Sequence, residues 1–221
     1  MLTATHPLHI AEALHLVLVD KRKETDATFV HSPAADSTIL HDDLLCLLAD
    51  MQKGGKNGPL LLNGASAEDF AKEGFTSSYP DFDELGRRLV GMGVDHRNIR
   101  HIAPAMNTAK ESWGFVQMAS IMGWRSATVV ALPHHILRCM LSTVAELERA
   151  NYHLNLYART LETVDWGIPT RKCRANEEQR AYFYQIEEEF NRIEKYRARA
   201  EGSHTPHAEI GELIRHIQDR D

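Results

Sequence analysis

Two histidines and an arginine stand where an apolar run in the sequence gives way to a helical pattern. The run ATVVAL ends at Pro133, and His134, His135 and Arg138 follow it. A histidine and an arginine on one helical turn can bind a phosphate or a carboxylate, because one supplies a hydrogen bond and the other a fixed positive charge. An imidazole titrates with a pKa of about 6.5, which also suits general acid–base catalysis. We therefore predict an anion site here, with His135 as the acid–base group and Arg138 as the residue that holds the negative charge.

The same residues also allow two other interpretations. In a purely structural role, a histidine bonds a neighbouring carbonyl and Arg138 pairs with a carboxylate on a helix. Metal binding is the less favoured alternative, because the side chains of adjacent histidines point in different directions and no third ligand follows at a supportive spacing. We therefore predict no metal site.

A second polar stretch, APAMNTAKESWGF, precedes another helical pattern. Asn107 or Thr108 can cap the helix, and Glu111 lies three residues beyond Thr108, which matches a capping box. This interpretation gives Glu111 a purely local role and is the favoured one. The alternative is that Asn107 and the helix N-terminus hold a polar or anionic ligand.

Apolar runs typical of buried strands alternate with helical patterns along the chain. The predicted strands are ATFV, PLLLNG, IRHIAPA, SATVVAL and YHLNLYART. Strands separated by helices of about 10–15 residues form right-handed βαβ units, which build a parallel sheet with both faces covered. The sequence therefore predicts an α/β fold, a Rossmann-like three-layer sandwich with a mainly parallel sheet of about five strands and additional C-terminal helices.

Polar residues follow each of the first four predicted strands. In an open parallel sheet, ligands bind beyond the carboxyl ends of the strands, near the helix N-termini. We therefore expect these residues to line one pocket, with a ligand-binding set that comprises Ser32, Asn63, Gly64, Asn107, Thr108, His134 and Arg138.

The pattern changes after about residue 161. NEEQRAYFYQIEEEFNRIEKYRARA places Tyr182, Ile186, Phe190 and Ile193 on one face of a predicted helix, and a second helix is predicted after Thr205-Pro206. We predict a Rossmann-like domain over residues 1–161, with an N-terminal helix, and a helical extension over residues 162–221. Because its apolar stripe would otherwise be exposed, the extension should pack on the domain or form a homodimer.

Composition narrows the class of protein. The chain of 221 residues has a net charge of −6 and no block of basic residues, so we expect no nucleic-acid partner. Its cysteines, Cys46, Cys139 and Cys173, are too scattered for a disulfide framework, which suits a reducing cytoplasm. The apolar segment LHIAEALHLVLVD is shorter than the roughly 20 residues of a membrane span. We therefore predict a cytoplasmic protein without a membrane partner.

The ordered motifs resemble those of the SanA/YdcF/ElyC-like superfamily of α/β proteins. The resemblance covers about Ala27 to Tyr157. It rests on Leu62-Asn63-Gly64, Gly93-Val94, Asn107-Thr108-Ala109-Lys110-Glu111 and His134-His135-Ile136-Leu137-Arg138. The chain departs from the family in the turn after the first strand, where His31-Ser32-Pro33-Ala34 replaces a glycine-rich turn, and in His134, which replaces an aromatic residue.

The resemblance implies one pocket that binds a small polar or anionic ligand. Its residues would be Asn63, Asn107, Thr108, Glu111, His135 and Arg138, with His135 and Glu111 as the catalytic pair. One branch of the family is associated with S-adenosylmethionine, so the ligand implied is S-adenosylmethionine or a nucleotide-like compound. We expect an enzyme, a transferase or a hydrolase. The alternatives are a non-catalytic ligand-binding or regulatory module and an oligomerisation protein.

Overall fold

A computed structural model describes residues 7–20, 24–32, 38–53, 55, 57–75, 80–167, 169–170, 180–198 and 207–220. Pro33 and Ala34 of the altered turn, Cys173, and the predicted helix entry at Thr205-Pro206 lie outside these residues. Within the described part of the chain, no helix is both long and apolar enough to cross a membrane.

A five-stranded, all-parallel sheet forms the centre of the protein, as predicted. Its strands are β1 (Ala27–Val30), β2 (Leu60–Asn63), β3 (Ile99–Ile102), β4 (Ser126–Val130) and β5 (Asn155–Arg159), in the spatial order β3-β2-β1-β4-β5. Each predicted run contains one strand. The strands β1 and β2 are buried along their whole length, as expected for strands with both faces covered, whereas the edge strand β3 exposes Arg100 and His101.

Helices cover both faces of the sheet and complete the three-layer sandwich. They are α1 (Pro7–Val19), α2 (Thr38–Gln52), α3 (Ala67–Lys72), α4 (Phe82–Gly91), α5 (Thr108–Met122), α6 (Ile136–Ala150), α7 (Tyr184–Ala198) and α8 (Ile210–Gln218). Successive side chains of a strand point to opposite faces. Two apolar cores therefore lie on opposite faces of the sheet. Val129 of β4 packs in the core that contains residues of α1, α5, α6 and α8, and Val130 packs in the core that contains residues of α2 and α4.

The strand order places a crevice between β1 and β4. From β1 the chain continues outward to β2 and β3, and it then returns to β4 on the other side of β1. The helices that follow β1 and β4 therefore diverge to opposite faces, which opens the sheet at its carboxyl edge. Ligands bind at this switch point in open α/β sheets. The segments that start at His31 and at Ala131 meet there.

The C-terminal part differs from the prediction at one point. The predicted helix over residues 176–200 is wrong at its start, because Arg180–Ala181 forms a short strand, β7, that pairs antiparallel with β6 (Pro169–Thr170). The helix begins only at Tyr184. Tyr182 is fully buried against Trp166 and the α2–α4 core, and this tertiary contact overrides the helical pattern.

The last helix packs on its own chain. Ile210, Leu213 and Ile217 of α8 enter the core that α1 and α6 share, and the Ala208 amide donates to the Leu141 carbonyl at 3.0 Å. The apolar face of α8 is therefore covered within one molecule. The predicted homodimer stays a prediction.

Replacing Gly64 by Ala should destabilise the fold. The new Cβ would lie 2.4 Å from the Ile102 carbonyl oxygen and 2.8 Å from Nδ1 of His101. Since the carbonyl belongs to β3, it cannot move without disturbing the sheet, and we expect a loss of about 1–3 kcal/mol in the free energy of unfolding.

Gly86→Ala is the matched control for urea unfolding. Its Cβ would meet no atom within 4 Å inside α4, so the variant should be neutral or gain up to about 1 kcal/mol from helix propensity. Equal stability of the two variants would contradict the close approach at Gly64.

Candidate functional site

The structure brings most of the predicted site residues together at the carboxyl edge of the sheet. Ser32 follows β1, Asn63 ends β2, Thr108 and Glu111 lie in the first turns of α5, and Arg138 lies in the first turn of α6. Hydrogen bonds connect Ser32, Asn63 and Glu111 in one group, and Thr108, His135 and Arg138 in another. Gly64 and Asn107 lie beside them.

Glu111 is the centre of the first group. One of its carboxylate oxygens lies 3.0 Å from Nδ1 of His31, and the other accepts bonds of 3.1 Å from the Ser32 amide and from the Asn63 side chain. The predicted capping box at Glu111 is therefore wrong. Asn107 is the helix cap and accepts from the Lys110 amide at 3.0 Å, which leaves Glu111 one turn inside the helix and free to face the sheet.

Asn63 fixes the place where α5 begins. Its side-chain oxygen accepts from the amides of Ala65 and Ala105, at 3.1 and 3.0 Å, and its NH₂ group donates to the Ala105 carbonyl at 2.6 Å. The loop after β3 is thereby tied to the end of β2. This contact holds the first turn of α5, and with it Glu111, against the sheet edge.

The Glu111 carboxylate is ionised although it is buried. Burial alone would raise its pKa, but the hydrogen bond from His31, together with the bonds from Ser32, outweighs burial and holds the pKa below its ordinary value. An ionised carboxylate accepts hydrogen bonds only. The shared proton of the pair therefore lies on Nδ1 of His31.

His31 was not among the predicted site residues. His31 is 0% exposed, and its Nε2 has no hydrogen-bond partner among the described residues. In the neutral imidazole, a proton on Nδ1 leaves a lone pair on Nε2. The feature of the sequence that could have identified His31 is its position: it is the first polar residue after ATFV, at the carboxyl end of a predicted strand.

His135 directly precedes α6, facing the second group. Its Nε2 lies 3.2 Å from Oγ1 of Thr108, and its Nδ1 has no partner in the described part of the chain. Burial, and then the nearby charge of Arg138, lowers the pKa of His135 well below its ordinary value. His135 is therefore a neutral imidazole at physiological pH.

Arg138 is engaged on two sides. It donates to Oγ1 of Thr108 at 2.6 Å through Nη1, and it forms a buried ion pair with Glu189 of α7 through Nε and Nη2, the Nη2 bond being 3.3 Å long. This pair is the structural arrangement that the sequence analysis kept as an alternative. The helix that provides Glu189 could not be identified from the sequence. A ligand-binding role for Arg138 stays a prediction.

His134 contacts the C-terminal segment rather than the first group. Its Nδ1 lies 2.5 Å from the hydroxyl of Tyr182, whose ring stacks on Trp166. Burial lowers the pKa of His134 to about 4. His134 therefore acts as a neutral partner that holds Tyr182 over the sheet edge.

At this edge of the sheet, three buried imidazole nitrogens lack a hydrogen-bond partner among the described residues: His31 Nε2, His134 Nε2 and His135 Nδ1. Buried polar atoms are rarely left without a partner, and exceptions concentrate at functional sites. In the same part of the chain, no group of three or more His, Cys, Asp or Glu side chains is arranged to hold a metal ion. The arrangement can bind polar ligand atoms and move a proton.

Comparison with protein-family models gives no match for this chain, and comparison with curated proteins gives no similar protein. The resemblance to the SanA/YdcF/ElyC-like superfamily therefore stays a prediction that rests on the quoted motifs.

Acidification should destabilise the fold through its buried histidines. Burial lowers the pKa of His134 and of His216 to about 4, and that of His135 well below its ordinary value. Since unfolded histidines titrate near about 6.5, the unfolded state binds more protons below that pH. The free energy of unfolding should be highest above about pH 6.5 and fall toward about pH 4, by up to about 1.4 kcal/mol per pH unit for each histidine.

Urea unfolding across this pH range measures the effect. In His134→Gln, which keeps a hydrogen-bonding group for Tyr182, the decline between about pH 6.5 and 4 should be shallower by up to about 1.4 kcal/mol per pH unit. The carboxylates of Glu111 and Glu189, whose pKa values are lowered in the folded protein, change the free energy of unfolding only below about pH 4.5. They therefore do not affect the slope at about pH 6. An unchanged slope in His134→Gln would show that His134 is not buried in its neutral form.

Proposed function

We propose that this chain is an enzyme that binds a small polar or anionic ligand at the carboxyl edge of the sheet and transfers a proton there, with His31 and Glu111 as the acid–base pair. The ligand class is S-adenosylmethionine or another nucleotide-like compound, as the family resemblance implies. The reaction class is a transfer or a hydrolysis.

The contact between His31 and Glu111 carries the proposal. A buried carboxylate that accepts from Nδ1 fixes the imidazole ring and its tautomer, which leaves the lone pair of Nε2 directed away from Glu111. A base oriented by a third group is the recurring arrangement of enzymes that remove a proton from a hydroxyl group or a water molecule. Its location at the β1–β4 switch point is where such folds bind ligands.

His31 is better placed for proton transfer than His135, to which the sequence analysis gave this role. Among the described residues no carboxylate bonds to His135, and its lowered pKa makes it a weak base. A neutral His135 can instead donate or accept one hydrogen bond to the ligand through Nδ1. Glu111 keeps the catalytic assignment as the residue that orients the imidazole.

The fold and the charges at its edge support the proposed ligand class. The order β3-β2-β1-β4-β5 is that of nucleotide-binding α/β sheets, and Arg138 supplies positive charge beside the N-termini of α5 and α6. His31-Ser32 stands where a glycine-rich turn would hold a diphosphate. This favours a ligand with a single anionic group over a dinucleotide.

A non-catalytic ligand-binding module is the second candidate. The observation in its favour is that Arg138 is buried and paired, so the anion site is closed in this structure. A closed site suits a sensor whose shape changes when the ligand binds. Turnover separates the two candidates, since a sensor returns its ligand unchanged.

Incubation with a defined mixture of S-adenosylmethionine, nucleoside monophosphates and sugar phosphates, followed by mass spectrometry, tests the proposal. The wild-type protein should convert one component. His31→Gln should lose turnover by a factor of about 10²–10⁴, because glutamine fills the space without accepting a proton at neutral pH.

His101→Gln is the control, since His101 lies on β3, which β2 separates from β1, and outside the group around Glu111. It should keep wild-type turnover. Full activity in His31→Gln, at unchanged melting temperature, would contradict the acid–base role. Binding of a component without any conversion by the wild-type protein would favour the sensor.

A further inference from the structure

A carboxylate from the C-terminal segment occupies the cationic side of the site. Glu189 of α7 is 2% exposed and accepts from both Nε and Nη2 of Arg138, which is the two-pronged geometry that guanidinium groups form with carboxylates and phosphates. Arg192 donates to the same carboxylate at 2.5 Å. Two guanidinium groups thus hold one anion.

This anion lies close to the proposed reaction centre. Nη1 of Arg138 donates to Oγ1 of Thr108 at 2.6 Å, and that oxygen lies 3.2 Å from Nε2 of His135. Thr108 begins α5 and His135 directly precedes α6, so Glu189 sits beside two helix N-termini. These are the positions where α/β proteins bind the anionic group of a ligand.

Stability alone is a weak reason for this ion pair. Desolvation of two buried charges offsets much of their attraction, and apolar residues of the same volume often stabilise a fold as well or better. Ile193 and Phe190 anchor α7 in the apolar core, but the helix contacts the site itself through the Glu189 carboxylate. This polar contact can be exchanged for that of another anion.

We propose that Glu189 stands in for the anionic group of the ligand. The ligand would then carry a carboxylate or a phosphate that displaces Glu189 from Arg138, and binding would loosen the N-terminal half of α7 at the sheet edge. This inference rests on the proposed function for the existence of a ligand. It adds the chemical group that the ligand must carry and the contact that it must break.

Glu189→Ala should turn the buried contact into an open anion site. Formate, acetate and inorganic phosphate, each compared with chloride at equal ionic strength, should raise the melting temperature of Glu189→Ala in a saturable way. We expect affinity for the matching anion at least about tenfold above that of the wild-type protein, where Glu189 competes. Rescue by formate or acetate identifies a carboxylate ligand, and rescue by phosphate identifies a phosphate ligand.

Glu188→Ala is the matched control on the same helix. Glu188 is partly exposed and lies 3.6 Å from Arg192, outside the Arg138 contact, so this variant should respond to the anions as the wild-type protein does. Equal responses of the two variants would overturn the proposal.

If Glu189→Ala does not fold, hydrogen–deuterium exchange of the wild-type protein decides the question. The matching anion at high concentration should speed amide exchange in α7 and leave α8 unchanged as an internal reference. Unchanged protection of α7 with all three anions would overturn the proposal. If the anions stabilise Glu189→Ala but the wild-type protein shows no turnover, this inference stands and the acid–base role of His31 is wrong. If turnover depends on His31 but no anion stabilises Glu189→Ala, the acid–base role stands and this inference is wrong.

Discussion

The arrangement of the site depends on one buried charge, the carboxylate of Glu111. An ionised carboxylate taken from water costs several kcal/mol unless hydrogen bonds replace its hydration. Here the donors come from the end of β1, through His31 and the Ser32 amide, and from the end of β2, through Asn63. Glu111 itself lies on α5, which follows β3. One carboxylate therefore fixes three strand ends and a helix relative to one another, and it also determines which nitrogen of His31 keeps its lone pair.

A second buried ion pair lies in the other half of the site. Arg138 needs a buried anion, and Glu189 of α7 provides it. Burial alone would raise the pKa of Glu189, but the charges of Arg138 and Arg192 lower it below its ordinary value, so the pair stays ionised. The two halves differ in origin. The Glu111 group is built from the sheet and its crossovers, whereas the Arg138 group depends on a helix added after the sheet is complete.

This difference explains what could be predicted from the sequence. Short runs rich in apolar residues, alternating with helical patterns, identified the five strands, and the rule for parallel sheets placed Asn63, Thr108 and His135 at one edge. The partner of Glu111 could not be predicted, because a helix-start pattern has a local explanation in capping, while the real partner depends on which strands are adjacent. Glu189 lies 51 residues from Arg138, and no periodicity relates them. The pair β6–β7 is two residues long in each strand, too short to leave a pattern.

The protonation of His31 tests the central claim most directly. Nitrogen-15 NMR of the imidazole at neutral pH distinguishes a ring nitrogen that carries a proton from one that does not. The account predicts a proton on Nδ1 of His31, bonded to Glu111, and an unprotonated Nε2. The Glu111→Gln variant should lose this preference, because an amide can both donate and accept. A proton on Nε2 of His31 in the wild-type protein would contradict the account, since no lone pair would then be available for the ligand.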